Sequence, residues 1–183
     1  MFRKFPLKMV PIYIIAQLIG ALLATIFVFA IAENQLTARG VSPRPPTVAS
    51  IYSPVFNGQL PIGIAILNEL VGDTLFMFIA VAVTDLRNPL IKPSLGPALV
   101  GVNLFVCASA FGWSYWTLNP LRDIIPRAYA SQTYSGLFDH GFWAVALFMP
   151  FLGHFLGAVL YETCAAKVYK VPVTDSRANH HIN

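Results

Sequence analysis

Residues 113–129 read WSYWTLNPLRDIIPRAY, and the reading of this stretch decides the fold. As a surface loop it is too apolar, because Leu118, Leu121, Ile124, Ile125 and its aromatic residues would all face water. Asn119 followed by Pro120 marks a helix start: asparagine caps free N–H groups, and proline fits the first helical position. The helix this predicts over 121–129 has about two and a half turns, too short to cross a bilayer. A short capped helix between two long apolar runs predicts a re-entrant half-helix. Non-helical backbone at membrane depth persists only where it lines a water-filled path or is buried in protein. Residues 113–118 are therefore expected to line a path with their carbonyl oxygens. The half-helix would bring a positive dipole end near the midplane, with Asn119 donating from its amide while its oxygen serves the cap.

Two charged residues sharpen this reading. The Arg122 guanidinium cannot lose its proton, and burial in lipid costs it several kcal/mol at least, so it must face water or a polar wall. Arginine beside the positive ends of half-helices is a barrier against cations and protons. The alternative is a plain extracellular loop in which Arg122 and Arg127 pair with Asp123 and Asp139. Glu69 lies well inside an apolar run and needs donors, while an irregular re-entrant loop needs acceptors. Glu69 is therefore expected to accept from the loop around residues 115–118 and brace it. Asp73, one turn further along, leaves a proton-relay role open.

The flanks set the class. The chain has 183 residues, 56% hydrophobic and 11% charged, against about 25% charged in soluble domains. Apolar runs at 10–32, 62–84, 95–116 and 142–161 are each long enough to span about 30 Å of hydrocarbon. Gly20, Ala21 and Ala24 in the first run, and Gly153 and Gly157 in the fourth, have the spacing at which membrane helices approach closely. Arg3, Lys4 and Lys8 resemble a signal-peptide n-region, but the apolar stretch after them has span length and no plausible cleavage site. It reads as a retained helix.

Four spans put both termini on the side of the 85–94 loop. That side holds eight Lys and Arg residues (Arg3, Lys4, Lys8, Arg87, Lys92, Lys167, Lys170 and Arg177), and the other holds four (Arg39, Arg44, Arg122 and Arg127). The positive-inside rule predicts cytoplasmic termini. The 33–61 connection, with Pro43, Arg44, Pro45 and Pro46, reads as an irregular extracellular loop. The polar tail from Asp175, with His180 and His181, reads as frayed rather than metal-binding. Cys107 and Cys164 form neither a disulfide framework nor a metal spacing. The net charge of +4 is scattered, so no nucleic-acid partner is expected. No nucleophile–base pair or phosphate loop appears, so no enzyme, cofactor or metal is expected.

Residues 119–123 with Pro126 and Arg127 are similar to the second Asn-Pro-Ala box of the major intrinsic protein (aquaporin) family, in its glycerol-facilitator branch. That branch reads Asn-Pro-Ala-Arg-Asp…Pro-Arg/Lys, and Asp123 is the discriminating position. Arg127 and Pro150 also fit the branch, and Phe151 departs mildly from it. Pro11-Ile12-Tyr13…Ala16-Gln17…Gly20-Ala21 resembles the family's third helix, and Glu69 falls on its fourth-helix glutamate. The resemblance covers roughly residues 1–170. It implies an all-α membrane protein, an aquaporin-like helical bundle with four transmembrane helices and one re-entrant half-helix. Residues 1–170 would be a partial aquaporin-like domain and 171–183 a polar cytoplasmic tail.

The resemblance further implies a facilitative channel for glycerol, other small neutral solutes and water, plasma-membrane located, one pore per monomer of a homotetramer in its full-length form. Asn119, Pro120, Leu121, Arg122, Trp116 and Cys107 would take pore and selectivity positions, with Arg122 the filter arginine, Trp116 the loop aromatic and Cys107 the fifth-helix residue. Leu121 stands where the family has alanine. Family members also carry two earlier helices and a first Asn-Pro-Ala half-helix. The expectation is therefore a truncated record or, alternatively, a non-conducting homologue that associates with full-length channels. An ion-coupled transporter would want more intramembrane acids than Glu69 and Asp73.

Overall fold

The computed structural model describes residues 6–41, 46–54, 61–112 and 115–168. Arg3, Lys4, Pro43, Arg44, Pro45, Trp113, Lys170, Arg177 and the histidines of the tail lie outside the described residues. Among the described residues, five α-helices follow in chain order: α1 Val10–Ala38, α2 Ile62–Thr84, α3 Gly96–Phe111, α4 Pro120–Ala130 and α5 Phe142–Leu160. Among the described residues there is no strand. Four of the helices are long and apolar enough to cross a bilayer, once the 3₁₀ turns flanking α1, α3 and α5 are counted. The fifth, α4, has 11 residues, about 16 Å at 1.5 Å per residue, and cannot.

Two helix ends differ from the hydropathy reading. α1 continues past residue 32 to Ala38, because its polar last turns bond back to their own helix. Asn34 Nδ2 donates to Ala30 O at 2.8 Å and Thr37 Oγ1 to Glu33 O at 2.8 Å. It stops at Gly40, whose φ of 68° is the left-handed turn glycine adopts freely. There the Gly40 N–H donates to Thr37 O and the Val41 N–H to Leu36 O, closing the helix with a Schellman pair. α3 is shorter than the 95–116 run. It ends at Phe111, whose carbonyl accepts from Asn68 Nδ2 of α2 at 3.0 Å, and residues 115–118 are not helical. Apolar composition continues across that boundary, so hydropathy does not register it.

The centre of the bundle is the contact of α2 with α5, joined by α3 on α2 and by α4 on α5. A Cβ placed on Gly153 would strike Asp73 Cβ and Leu70 O, and one on Gly157 would strike Thr74 O and Phe78 N. Positions along both helices rise together through these contacts, so α2 and α5 cross in parallel. Their backbones touch at the two glycines, the close approach small residues permit in lipid. Gly157→Val should therefore fail to pack, with a loss of about 1–3 kcal/mol or more. Size-exclusion chromatography of heated, detergent-solubilised protein should show its dispersed peak lost well below the wild-type temperature. α1 stands apart: it packs on α4, and Thr25 is its one buried residue.

The half-helix and its two cavities

The half-helix starts as asparagine and proline dictate. Asn119 is extended (φ −133°, ψ 116°), its Oδ1 accepts from the Leu121 N–H at 3.0 Å, and Pro120 opens α4. The side-chain amide nitrogen of Asn119 is left for other work. Successive positions then separate two faces. Asn119 and Arg122 are exposed, and Arg122 makes no hydrogen bond or ion pair with the described residues. Asp123 and Arg127 turn inward, at 0% and 1% exposure.

That inward face is a buried clamp. Arg127 Nε donates to Asp123 Oδ2 at 2.9 Å and Arg127 Nη2 to Oδ1 at 2.8 Å. The guanidinium also donates to Leu137 O and, at 2.7 Å, to Pro54 O, and it lies 5.6 Å from the Phe142 ring centroid. Ser53 Oγ donates to Asp123 Oδ1 at 3.0 Å. Asp123 and Arg127 thus face protein rather than the exposed side, and they fasten the 46–54 segment to α4. Of the pairings the sequence left open, Arg127 takes Asp123, and Arg122 takes neither acid.

The loop entering the half-helix hangs on Glu69, which is 1% exposed. Its carboxylate accepts from the Thr117 N–H at 2.7 and 2.9 Å, from the Leu118 N–H at 3.2 Å and from the Thr117 hydroxyl. Tyr115 and Leu118 carry φ of 73° and 63°, a left-handed backbone that is unfavourable for bulky residues and held by its surroundings. Trp116 is 6% exposed, packed against Phe76 and Phe111 at 6.4 and 6.3 Å between centroids. Its Nε1–H donates to Asp73 Oδ1 at 2.9 Å. Trp116 is also among the residues lining a cavity. Cys107, which the resemblance sets at the filter, is buried in α3. Its Sγ donates to Asn103 Oδ1 at 3.5 Å, and Asn103 Nδ2 donates to Phe76 O at 2.9 Å. α3 presents Leu104 and Ala108 to the cavity. Pro150 is buried inside α5.

Two cavities flank α4. One, of about 500 Å³, lies between it and the Gln17, Gly20, Ala21 and Ala24 face of α1, with Leu121 on its wall. The other, of about 620 Å³, lies towards α3 and the 115–118 loop. Asn119 and Arg122 line both. So do Ile51 and Tyr52, residues of the connection whose proline content reads as irregular loop. Tyr52 stacks on Phe29 at 4.8 Å and donates its hydroxyl to Glu33 Oε1 at 2.8 Å, an oxygen that also accepts from the Tyr134 hydroxyl at 2.9 Å. Burial and the Glu33 carboxylate push the Tyr52 phenol well above its ordinary range, so it stays a donor. Its one sequence signal was an apolar Ile51-Tyr52 pair next to serines. Among the described residues no group of three or more His, Cys, Asp or Glu side chains could hold a metal.

The sequence profile of the family described as Major intrinsic protein matches residues 1–161. A glycerol uptake facilitator protein of Pseudomonas aeruginosa is 30% identical, the alignment covering 91% of this chain and 65% of the relative. Aquaglyceroporin-3 of Trypanosoma brucei brucei is 29% identical over 88% of this chain and 55% of its own. A glycerol uptake facilitator protein of Haemophilus influenzae is 29% identical over 88% and 66%. The chain thus spans between about half and two-thirds of the length of these curated relatives.

Proposed function

As the chain belongs to the major intrinsic protein family, a family of integral membrane channels, we propose that it contributes a passive path for glycerol, other small neutral solutes and water. The observation that carries this reading is Arg122, unpaired and exposed beside the capped Asn119, where both cavities meet the half-helix. Solute hydroxyls trade water for Asn119 Nδ2, Arg122 and the carbonyls of the 115–118 loop, and carbon skeletons slide along the exposed part of Trp116 and along Leu121. The positive end of α4 and Arg122 repel cations and protons. Glu69 acts as a brace rather than a relay, since its oxygens are occupied by backbone and hydroxyl donors. The Asp123–Arg127 pair, with Pro150 in the neighbouring helix, maintains the half-helix. Glycerol as solute is supported by the names of the relatives. The eight-to-four distribution of basic residues supports cytoplasmic termini, and the family pattern supports a plasma-membrane homotetramer in the full-length form.

Stopped-flow light scattering tests this on vesicles carrying the chain. Glycerol re-swelling faster than in empty vesicles is expected, and equal rates would sink the proposal. Arg122→Ala should raise proton and cation leak by about tenfold, the change produced by roughly 1.4 kcal/mol of lost barrier, as read with a pH-sensitive dye inside the vesicles. A second reading, a non-conducting chain that associates with longer relatives, is favoured by α1, whose single buried residue leaves its faces open. Co-purification with a longer relative, without permeability of its own, would favour that reading.

A further inference from the structure

The middle of α2 carries an acid that stands off the solute path. Asp73 is 0% exposed and sits at the centre of its helix, as far from Ile62 as from Thr84. It is not among the residues lining either cavity. An ionisable side chain at that depth is expensive and points to a function, and its partner has to be named. Asp73 Oδ1 accepts from the Trp116 indole at 2.9 Å, while Oδ2 is buried without a partner. Among the described residues, one other buried side-chain nitrogen or oxygen shares that condition: His154 Nε2 of α5.

The two residues meet the α2–α5 contact at one level. Gly153 precedes His154 and abuts Asp73 so closely that a Cβ on it would strike Asp73 Cβ. The Phe76 ring lies 6.0 Å from the His154 ring and 6.4 Å from the Trp116 ring. The histidine and the indole that serves Asp73 therefore pack on the same phenyl group. His154 is also central in its span, 15 residues from Asp139 and 14 from Val168.

The surrounding charges single out this pair. No lysine or arginine occurs in α2, α3 or α5, so His154 is the one side chain of these helices that can become a cation. The other titratable groups within reach of the Asp73 charge are Glu69 of α2 and Cys107 of α3. Glu69 is answered by the donors of Thr117 and Leu118, and Cys107 Sγ donates to Asn103. Tyr115 of the loop packs on Phe142, and Arg127 of α4 is engaged by Asp123.

We infer that Asp73 and His154 form a proton-binding site at mid-membrane, in which one proton held by the pair cancels the carboxylate charge beside Trp116. Placed on the imidazole, the proton makes an ion pair, whose attraction persists over several ångströms in a low-dielectric interior. Placed on the carboxyl, it leaves two neutral groups. Both placements belong to one coupled titration. The site stores a proton away from the cavities and does not depend on whether the chain conducts solute.

The test is a titration between about pH 4 and pH 9, which covers the ordinary ranges of carboxylic acids and imidazoles. It uses the full chain in detergent with Trp113→Phe and Trp143→Phe, so that of three tryptophans Trp116 alone emits. Its emission responds to charge beside the indole and should show one transition. Asp73→Asn keeps an oxygen for the indole N–H, and His154→Gln keeps a polar side chain of similar reach. Each should abolish the transition or move its midpoint by about one pH unit or more, a tenfold change in proton affinity. The two replacements together should remove it. No transition in the parent, a midpoint unmoved in either single variant, or a transition that persists in the double variant overturns the inference. Either single variant suffices for the decision, so one that fails to fold leaves the other to make it.

Discussion

Asp123→Ala is expected to unfold the loop end of the molecule, with a loss of about 3–5 kcal/mol, the range for removing one partner of a buried ion pair. The magnitude follows from burial. Arg127 is 1% exposed and Asp123 0%, so the guanidinium left behind keeps the Leu137 and Pro54 carbonyls and the Phe142 ring but no counter-charge. Ser53 loses its acceptor as well, loosening the 46–54 segment. Thermal melting of the solubilised protein measures the loss, and limited proteolysis should show new cleavage within 46–54. Asp123→Ala combined with Arg127→Met should recover much of the stability, since an apolar pair leaves no buried charge. A double variant no more stable than the single one would place the stabilisation elsewhere.

Glu69→Ala should have the second largest effect, and a local one. It strips the acceptor from the Thr117 N–H, the Leu118 N–H and the Thr117 hydroxyl. A buried donor left unsatisfied costs about 1–3 kcal/mol, so the two backbone groups alone amount to roughly 2–6 kcal/mol. With that restraint gone, Tyr115 and Leu118 should leave their positive φ, and Trp116 should swing away from Asp73. Amide hydrogen exchange reads this directly: protection at Thr117 and Leu118 should collapse while the middle of α2 stays protected. Glu69→Gln should fall between, because its amide offers one acceptor oxygen and turns a donor toward donors. Unchanged exchange at Thr117 in the alanine variant would remove Glu69 from the support of the loop.

What could be read in advance followed from strong local chemistry. The Asn119-Pro120 pair announces a helix start whatever surrounds it, and four apolar runs of span length admit few alternatives. A carboxylate at residue 69, deep in such a run, announces a need for donors. The end of α3 was not legible, because the residues after Phe111 are as apolar as those before it, and the Asn68 bond that marks the end comes from another helix. The rotation of α3 is a different case. Its few polar residues do not by themselves set the turn that points Asn103 toward α2 and Leu104 and Ala108 toward the cavity. The four-residue spacing of Asp123 and Arg127 permits an ion pair, but its burial depends on the 46–54 segment folding over it. That segment was hardest to foresee, since proline marks irregular chain without saying where it goes.

The Glu69–Thr117 contact joins residues 48 positions apart, and that separation carries a cost during biosynthesis. At about 5–20 residues per second, α2 is made roughly 2–10 s before the loop that supplies donors to its carboxylate. Trp116, the partner of Asp73, arrives equally late, and the glycine face of α5 later still. For those seconds the helix must enter the bilayer with two acids near its centre, each opposing insertion by about 2.5–3.5 kcal/mol. Of the four spans, α2 is therefore the one whose insertion is most precarious, and the residues that rescue it lie downstream in the chain.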